Sequence, residues 1–368
     1  MDETESELVG KNLGQAQQRS SAQRNVSVCA VTVTYGDRLA KVQPVIARLE
    51  SMRSAGSPLN EIIVVDNGSA DATRNYLREL AIAGRVSVIS IGYNAGSAAG
   101  FTAGLEAAVK SNCNHAWLLD DDNLPEPDAL MAILTQVEKS SSPAAYLSLR
   151  IDREEYSRFA STRSPVDAFE WPDSFLGFAW QRTFTKVPRS PQQFTARSTC
   201  TVPIPYGPYG GLFLPTELIP VIGLPRTDYH LYGDDHEFTY RLSRLQIPLL
   251  LVPSSRVQDL ESSWNMGKKK EVREKEFFIS PLVLLSSDPN LRRRLYYSVR
   301  NRVHFESHFR VANRFCYLFN ASVKLLVVYS LALLACGLRL DLTPLRNTAI
   351  LAQAVRDGLE SRLGKTGR

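Results

Sequence analysis

The stretch that most constrains this chain is Ala116-Trp117-Leu118-Leu119-Asp120-Asp121-Asp122-Asn123. Four apolar residues run straight into three adjacent carboxylates. The apolar run reads as the end of a buried strand. Three neighbouring acids are not tolerated in low dielectric without cations, because each desolvates and repels the next. The chain must therefore emerge at Asp120, and positive charge must meet it there. In open α/β sheets, ligands bind outside the carboxyl ends of the strands. A divalent metal carrying a phosphorylated ligand satisfies both demands, since Mg²⁺ or Mn²⁺ takes one or two carboxylates plus phosphate oxygens. The plainer alternative is an acidic loop or helix cap ahead of Pro125 and Pro127.

The flanking sequence favours a strand in a sheet. Val26 to Thr34 is rich in β-branched residues and reads as a strand; Leu39, Val42, Ile46 and Leu49 then recur at helical spacing, and Gly56-Ser57-Pro58 ends that helix. Glu61 to Asp66 is a second buried strand closing on an acid, and Asn67-Gly68-Ser69 is turn chemistry. Val86 to Ile91 gives a third strand, and a glycine-rich loop from Gly92 leads into a helix to about Lys110. Leu130, Ile133, Leu134 and Val137 mark a helix after the acidic stretch. This alternation predicts an α/β fold with a mostly parallel central sheet and helices on both faces. From Tyr146 to about Pro205 no element is assignable. Tyr209 to Leu214 reads as a strand, Leu231 to Leu242 as a helix with acids in its first turn, and Pro248 to Val252 as a short strand. After Arg292 the chain reads as helical to its end.

Three strand ends converge on one edge: Thr34-Tyr35, Asp66-Asn67 and Asp120-Asp121-Asp122. Asp66 suits a base or ribose hydroxyl, or else simply forms the turn before Asn67-Gly68. The loop from Asn94 to Gly104 lets backbone approach a ligand closely and presents free N–H groups at its helix start. It is neither a GxGxxG fingerprint nor a P-loop, which counts against dinucleotide dehydrogenases and ATPases. For Gly100 and Gly104, tight helix packing explains the small residue equally well. Asp234-Asp235-His236-Glu237 is a second acidic cluster, suited to a general base or, more simply, to helix capping.

Together, Val31-Thr32-Val33-Thr34-Tyr35, Val64 to Ser69, Asn94 to Phe101, Leu118 to Asp122 and Asp234 to Phe238 resemble the motifs of family 2 glycosyltransferases of the GT-A fold. Tyr296-Tyr297-Ser298-Val299-Arg300-Asn301 and Arg356-Asp357-Gly358-Leu359 are similar to the rhamnosyltransferase and galactofuranosyltransferase branch. The resemblance implies a GT-A nucleotide-sugar-binding fold with a C-terminal helical region. It implies an inverting transfer from a nucleotide-diphosphate sugar, UDP-galactofuranose or dTDP-rhamnose being favoured, to a hydroxyl of a glycan or lipid-linked acceptor in cell-envelope polysaccharide synthesis. It assigns Thr34, Tyr35, Asp66, Asn94, Gly96, Asp120 and Asp121 to the nucleotide sugar. It assigns Asp120 and Asp122 to a divalent metal, Mn²⁺ or Mg²⁺, and Asp235 to the base. Gly211, Asp234, His236 and Glu237 fall to the acceptor. Relatives place a histidine ligand after the strand that ends near Pro253. Here Ser254-Ser255-Arg256-Val257-Gln258-Asp259 follows, and Asp259 is the candidate replacement. The alternatives are a nucleotidyltransferase, for which Thr34 to Arg38 is a poor basic loop, and a catalytically inactive sugar-nucleotide-binding subunit of a membrane complex.

The 368 residues suffice for a disordered tail over 1–24, a catalytic domain over 25–265 and a helical region over 266–368. The tail is polar and lacks the apolar core of a signal peptide, so secretion is not expected. A net charge of +5 is too diffuse to argue for nucleic acid. Five cysteines without CxxC spacing suggest a reducing compartment. The most apolar stretch, 316–338, has an uncharged part over 325–338 that is shorter than the roughly 20 residues of a spanning helix. Arginines precede it and aromatic residues lie within it, the composition of a segment resting on an anionic surface. The expectation is a cytoplasmic protein peripheral to the inner face of the plasma membrane; a buried core helix is the competing reading.

Overall fold

The computed structural model describes residues 26–153, 156–157, 159–160, 173–180, 200–261 and 284–365. The expected tail lies outside them. The chain forms two compact units. The first comprises 1–164, 192–226 and 235–262, the second 165–191, 227–234 and 263–368.

The first unit is built on a mixed sheet flanked by helices. In chain order its elements are β1 (Val28–Gly36), α1 (Leu39–Ser54), β2 (Leu59–Ser69), α2 (Asp71–Ile82), β3 (Ser87–Ser90), α3 (Ser97–Lys110), β4 (His115–Asp120), β5 (Asn123–Pro125), α4 (Ala129–Lys139), β6 (Ala145–Arg150), β7 (Val202–Pro203), β8 (Leu212–Pro215), α5 (Asp234–Arg244) and β9 (Leu249–Asp259). The strand order is β3-β2-β1-β4-β8-β6-β9-β5, with β7 on β9. The β3-β2-β1-β4 half is parallel; β8 runs antiparallel to both β4 and β6, and β5 antiparallel to β9. Because the chain leaves β1 toward β2 and returns on its other side as β4, a crevice opens at the carboxyl ends of β1 and β4.

Alternation along β1 explains why helices cover both faces. Val28 and Ala30 join α1 residues Val42, Val45, Ile46 and Leu49 in a core that also holds Trp117 and Leu119 of β4. Val31 and Val33 point the other way, against α3. A methyl on Gly100 would overlap Val33, and one on Gly104 would overlap Val31. The packing explanation therefore accounts for both glycines.

Several boundaries differ from the sequence reading. The helix expected from Leu231 starts only at Asp234, because Leu231, Tyr232 and Gly233 lie at positive φ. The strand expected from Tyr209 begins at Leu212, because Gly211 sits at φ +93°, outside the extended region. The short strand expected at 248–252 continues to Asp259. Its second half carries polar residues, among them fully buried Ser255, whose hydroxyl hydrogen-bonds Ser148 of β6 at 2.8 Å.

In the second unit, α6 (Pro289–Phe305), α7 (Arg314–Arg339) and α8 (Thr343–Leu359) form the C-terminal helical region. Helices α6 and α8 cross closely at Gly358, where a methyl would lie 2.5 Å from the Arg300 carbonyl oxygen. One residue earlier, Asp357 accepts a 2.6 Å hydrogen bond from the Tyr296 hydroxyl. Buried Glu306 accepts from the Leu176 amide, Arg302 and the Tyr317 hydroxyl, so its charge is met from three sides.

Candidate active site

Sheet register sets the site. Thr34 lies beside Asp66, and Val33 beside Asp120, so the ends of β1, β2 and β4 are level. Asp66 is buried; one oxygen accepts from the Ser69 amide at 2.8 Å and closes the turn, while the other lies 3.9 Å from Arg74. Asn67 holds the glycine-rich loop from both sides: its Oδ1 accepts from Ala95 N at 2.9 Å, and its Nδ2 donates to Gly96 O at 3.0 Å. Asn94 Oδ1 accepts from Gly96 N, and Gly96, at φ +94°, delivers the chain into α3. Thr34 is buried; Tyr35 is half-exposed, with the Arg38 guanidinium 5.2 Å from its ring centre.

The positive charge demanded by the three acids comes first from arginines. Arg38 donates from Nε to both oxygens of Asp121 at 2.9 and 2.8 Å, and its other nitrogens reach Asp122 at 3.2 Å and Glu261 at 2.6 Å. Arg150, at the end of β6, reaches Asp120 at 3.4 Å and Asp259 at 2.6 Å. Arg153 takes the second oxygen of Asp259 at 3.0 Å. Five carboxylates thus share three guanidiniums in these contacts, leaving an excess of negative charge equal to that of one divalent cation. Burial pushes the Asp120 carboxyl up to about 6, against the pull of Arg150, with Asp121, Asp259 and Asp235 adding to the rise. Burial, followed by the charge of Asp120, pushes Asp122 up to about 6 as well. Asp121 is also raised by burial, but Arg38 opposes the shift.

Among the described residues, no group of three or more His, Cys, Asp or Glu side chains is arranged to enclose a metal ion. Asp120 and Asp122 stand at the sheet edge as two crowded carboxylates, hard oxygen donors by their chemistry. Asp259 is engaged differently from the ligand role expected of it. One of its oxygens accepts from Arg150 and Asn123, and the other from Arg153. It anchors the cations of the site and has little lone-pair capacity left.

Asp235 stands in the first turn of α5, close enough to Asp120 to raise its pKa. Its Oδ1 accepts from the His236 amide at 2.8 Å. His236 is partly exposed, its ring 4.8 Å from that of Tyr206. Glu237 is buried and paired with Arg241, which also donates to the carbonyls of Ile222 and Leu224. It braces the helix. Gly211 links strands through its backbone, donating to Leu118 O and accepting from Ser148 N. Asp234 is buried.

Four residues of the site are given no role by the sequence reading: Arg38, Asn123, Arg150 and Gly210. Asn123 spans Asp120, Asp122 and Asp259, accepting from the Asp120 amide and donating to the Asp122 and Asp259 carboxylates. A methyl on Gly210 would overlap Asn123 Oδ1 and lie 2.8 Å from Asp120 Oδ2, so only glycine leaves those groups in place. The requirement for positive charge near the acids is the one available pointer to the arginines.

A comparison with protein families bears on this arrangement. Residues 29–199 match the model of Glycosyl transferase family 2. The family 2 match begins in β1 and takes in the strand ends, the glycine-rich loop and the three acids. No curated protein matches at a significant level. Among solved structures, the chain is similar to GalNAc-T7 crystallised with UDP, GalNAc and Mn²⁺, at 14% identity and TM-score 0.49 over 77% of this chain and 48% of that one. It is similar to S. aureus TarS 1-349, at 13% identity and TM-score 0.43 over 92% and 91% of the two chains. It is also similar to the mannosyltransferase PcManGT from Pyrobaculum calidifontis in complex with GDP-Man and Mn²⁺, at 14% identity and TM-score 0.45 over 98% of each chain. The chain spans about half the length of the first of these.

Proposed function

We propose that this protein is an inverting glycosyltransferase of the GT-A type that moves a sugar from a nucleotide diphosphate to an acceptor hydroxyl. The observation that carries the reading is the meeting of Asp66, the 120–122 acids and Asp235 at one sheet edge, with the first four of these inside a family 2 match. In this reading Asp66 and the Asn94–Gly96 loop hold the nucleoside and its phosphates, with Thr34 and Tyr35 lining the same end of β1. Asp121 contacts the donor, and Asp120 and Asp122 hold a Mn²⁺ or Mg²⁺ ion. When bound, such a cation neutralises charge growing on the departing diphosphate. Asp235 accepts the proton of the attacking hydroxyl. The new C–O bond forms on the face of the sugar opposite the leaving group, while the bond to the diphosphate breaks and its electron pair leaves with the phosphate oxygen. One displacement inverts the anomeric carbon, through an oxocarbenium-like transition state. Gly211, Asp234, His236 and Glu237 shape the acceptor side, Gly211 and Glu237 through the strand and helix they brace.

UDP-galactofuranose and dTDP-rhamnose are the favoured donors, and a glycan or lipid-linked molecule of the cell envelope is the favoured acceptor. Purified protein with Mn²⁺ or Mg²⁺, offered these donors and common UDP-hexoses, should release nucleotide from one of them and add one sugar mass to an acceptor. Donor binding without hydrolysis or transfer from any of them would favour the inactive binding-subunit reading instead.

In the same reading the protein works on the cytoplasmic face of the plasma membrane. Helix α7 is long and apolar enough to cross a membrane, by length and composition only. Its buried side is narrow: Tyr317, Asn320, Ala321, Val328, Ala332 and Cys336. Phe315, Leu326, Leu334 and Leu338 each keep 60–78% of their surface exposed, which a core helix would not do. Arg310 and Arg314 flank the start of this helix and Arg292, Arg293 and Arg294 lie in the first turns of α6, a supply of positive charge for anionic headgroups at about 1 kcal/mol for each charge near the surface. The full chain should sediment with anionic liposomes at low salt and less so at high salt. Protein that stays in the supernatant at low salt would overturn the membrane reading and leave the transferase reading intact.

A further inference from the structure

Where β6 and β9 end, two arginines share one acid. Arg150 donates from Nε and Nη2 to Asp259 Oδ1 at 2.9 and 2.6 Å, and Arg153 reaches Asp259 Oδ2 at 3.0 Å. Asp259 is itself seated from two further directions. Its Oδ1 accepts from Asn123 Nδ2 at 3.0 Å, and its backbone N–H donates to Asp152 Oδ2 at 2.8 Å. The Arg150 guanidinium is thus held along one edge, while Nη1 is barely engaged. Nη1 lies 3.4 Å from Asp120 Oδ2, longer than the roughly 2.7–3.2 Å of an ordinary N–H···O bond. Arg150 is buried, yet Nη1 and Nη2 each keep an N–H with no partner among the described residues. A methyl on Gly210 would stand 3.0 Å from Nη1, so a side chain at that position would crowd this nitrogen.

The charges around it are unevenly divided. Asp121, Asp122 and Glu261 have one guanidinium between them, that of Arg38. Asp120 and Asp259 have two, those of Arg150 and Arg153. The surplus of negative charge therefore lies on the Asp122 side, and the side of Arg150 is balanced. Once Asp120 is shared with a divalent cation, that balance is lost and Nη1 has no anion of its own. A buried guanidinium without an anion is costly. A phosphate oxygen meets the need, and a guanidinium is the side chain best shaped to receive one.

We propose that Arg150 binds the diphosphate of the sugar nucleotide, giving an N–H of Nη1 to a phosphate oxygen, and that Asp259 is the residue that positions it. This rests on the reading of the site as one for a nucleotide-diphosphate sugar. It gives Asp259 a function at the place where a metal ligand is expected. The diphosphate then meets a cation built into the sheet, and that cation neutralises charge growing on the leaving group without having to be recruited.

The test uses the full chain carrying Arg150→Gln. It is titrated by calorimetry with UDP, dTDP and GDP at saturating Mn²⁺, and with Mn²⁺ alone by paramagnetic resonance. Affinity for the diphosphate that wild type binds should fall roughly 10–100-fold, the worth of a hydrogen bond to a charged group. Mn²⁺ affinity without nucleotide should not fall, because the change removes a cation beside Asp120 and no carboxylate. Asp259→Asn should weaken diphosphate binding in the same direction and leave Mn²⁺ affinity as it is. The double variant should bind the diphosphate no worse than Arg150→Gln alone, because Asp259 acts through Arg150. If Arg150→Gln does not fold, Arg150→Lys decides. It keeps the charge, but an ammonium does not hold Asp259 and reach a phosphate at once, so affinity should fall about tenfold. Wild-type diphosphate affinity in the arginine variant would overturn the assignment. Loss of Mn²⁺ binding in Asp259→Asn would make Asp259 a metal ligand and overturn its positioning role. A wild-type chain that binds none of the three diphosphates would instead remove the nucleotide-sugar reading on which the assignment rests.

Discussion

Replacing Asp235 by asparagine is expected to reduce turnover by roughly 10²–10⁴-fold, the usual worth of a general base. The change removes the proton acceptor and keeps the shape. The side-chain carbonyl oxygen of the introduced amide can still accept from the His236 backbone N–H, so the first turn of α5 loses no hydrogen bond. Donor affinity should be near wild type, because the groups assigned to the nucleotide lie at the ends of β1, β2 and β4. Steady-state kinetics with separate donor titration checks both halves of this expectation. A variant keeping most of its turnover would move the proton acceptor elsewhere, with Asp234 the next residue to change.

Asp120→Ala and Asp122→Ala should each abolish metal-dependent donor binding while the fold persists. Persistence follows from the sharing of counter-ions: without Asp120, Arg150 keeps Asp259, and without Asp122, Arg38 keeps Asp121 and Glu261. Calorimetric titration of nucleotide sugar, with metal and with EDTA, is the measurement. Wild-type affinity under both conditions would sink the metal assignment. The acidity of the pair adds a signature. Both carboxyls are raised from the usual 3.8 to about 6, by burial first and by crowding next. Between about pH 4 and pH 6 the folded state therefore holds more protons than the unfolded state, so this pair makes stability fall as pH rises through that window. Above it, both acids are charged and ready for a cation, and Mn²⁺ should raise the melting temperature more at about pH 7 than at about pH 5.

Much of this is legible because burial and charge write themselves into local sequence. Strands β1, β2 and β4 are apolar runs, and each ends where a polar group must meet ligand or solvent. That puts Thr34, Asp66 and Asp120 on one edge from the sequence alone. What stays hidden depends on partners far along the chain. Arg38 and Arg150 are single cations with no periodic setting, and their acids lie 83 and 109 residues away in the pairs with Asp121 and Asp259. The second half of β9 escapes because polar residues surround buried Val257, and one of them, Ser255, is itself buried and made tolerable by one hydroxyl on β6. In sequence Asp259 looks like a free hard ligand, since nothing nearby announces two arginines. In the second unit, the hydrogen bond from Asn301 to the Leu231 carbonyl spans 70 residues, and the left-handed stretch there begins with leucine and tyrosine where the usual signal would be glycine.

The Asn123 bridge to Asp259 joins positions 136 residues apart. The three acids are thus not a portable cassette. Transplanted to another strand end, the eight residues from Ala116 to Asn123 would bring their charge without Arg38, Arg150 or the β9 terminus that keeps Arg150 in place. The motif is short on paper, but the unit that makes it tolerable is the whole sheet. Any engineering of this site has to carry β1, β6 and β9 along with β4.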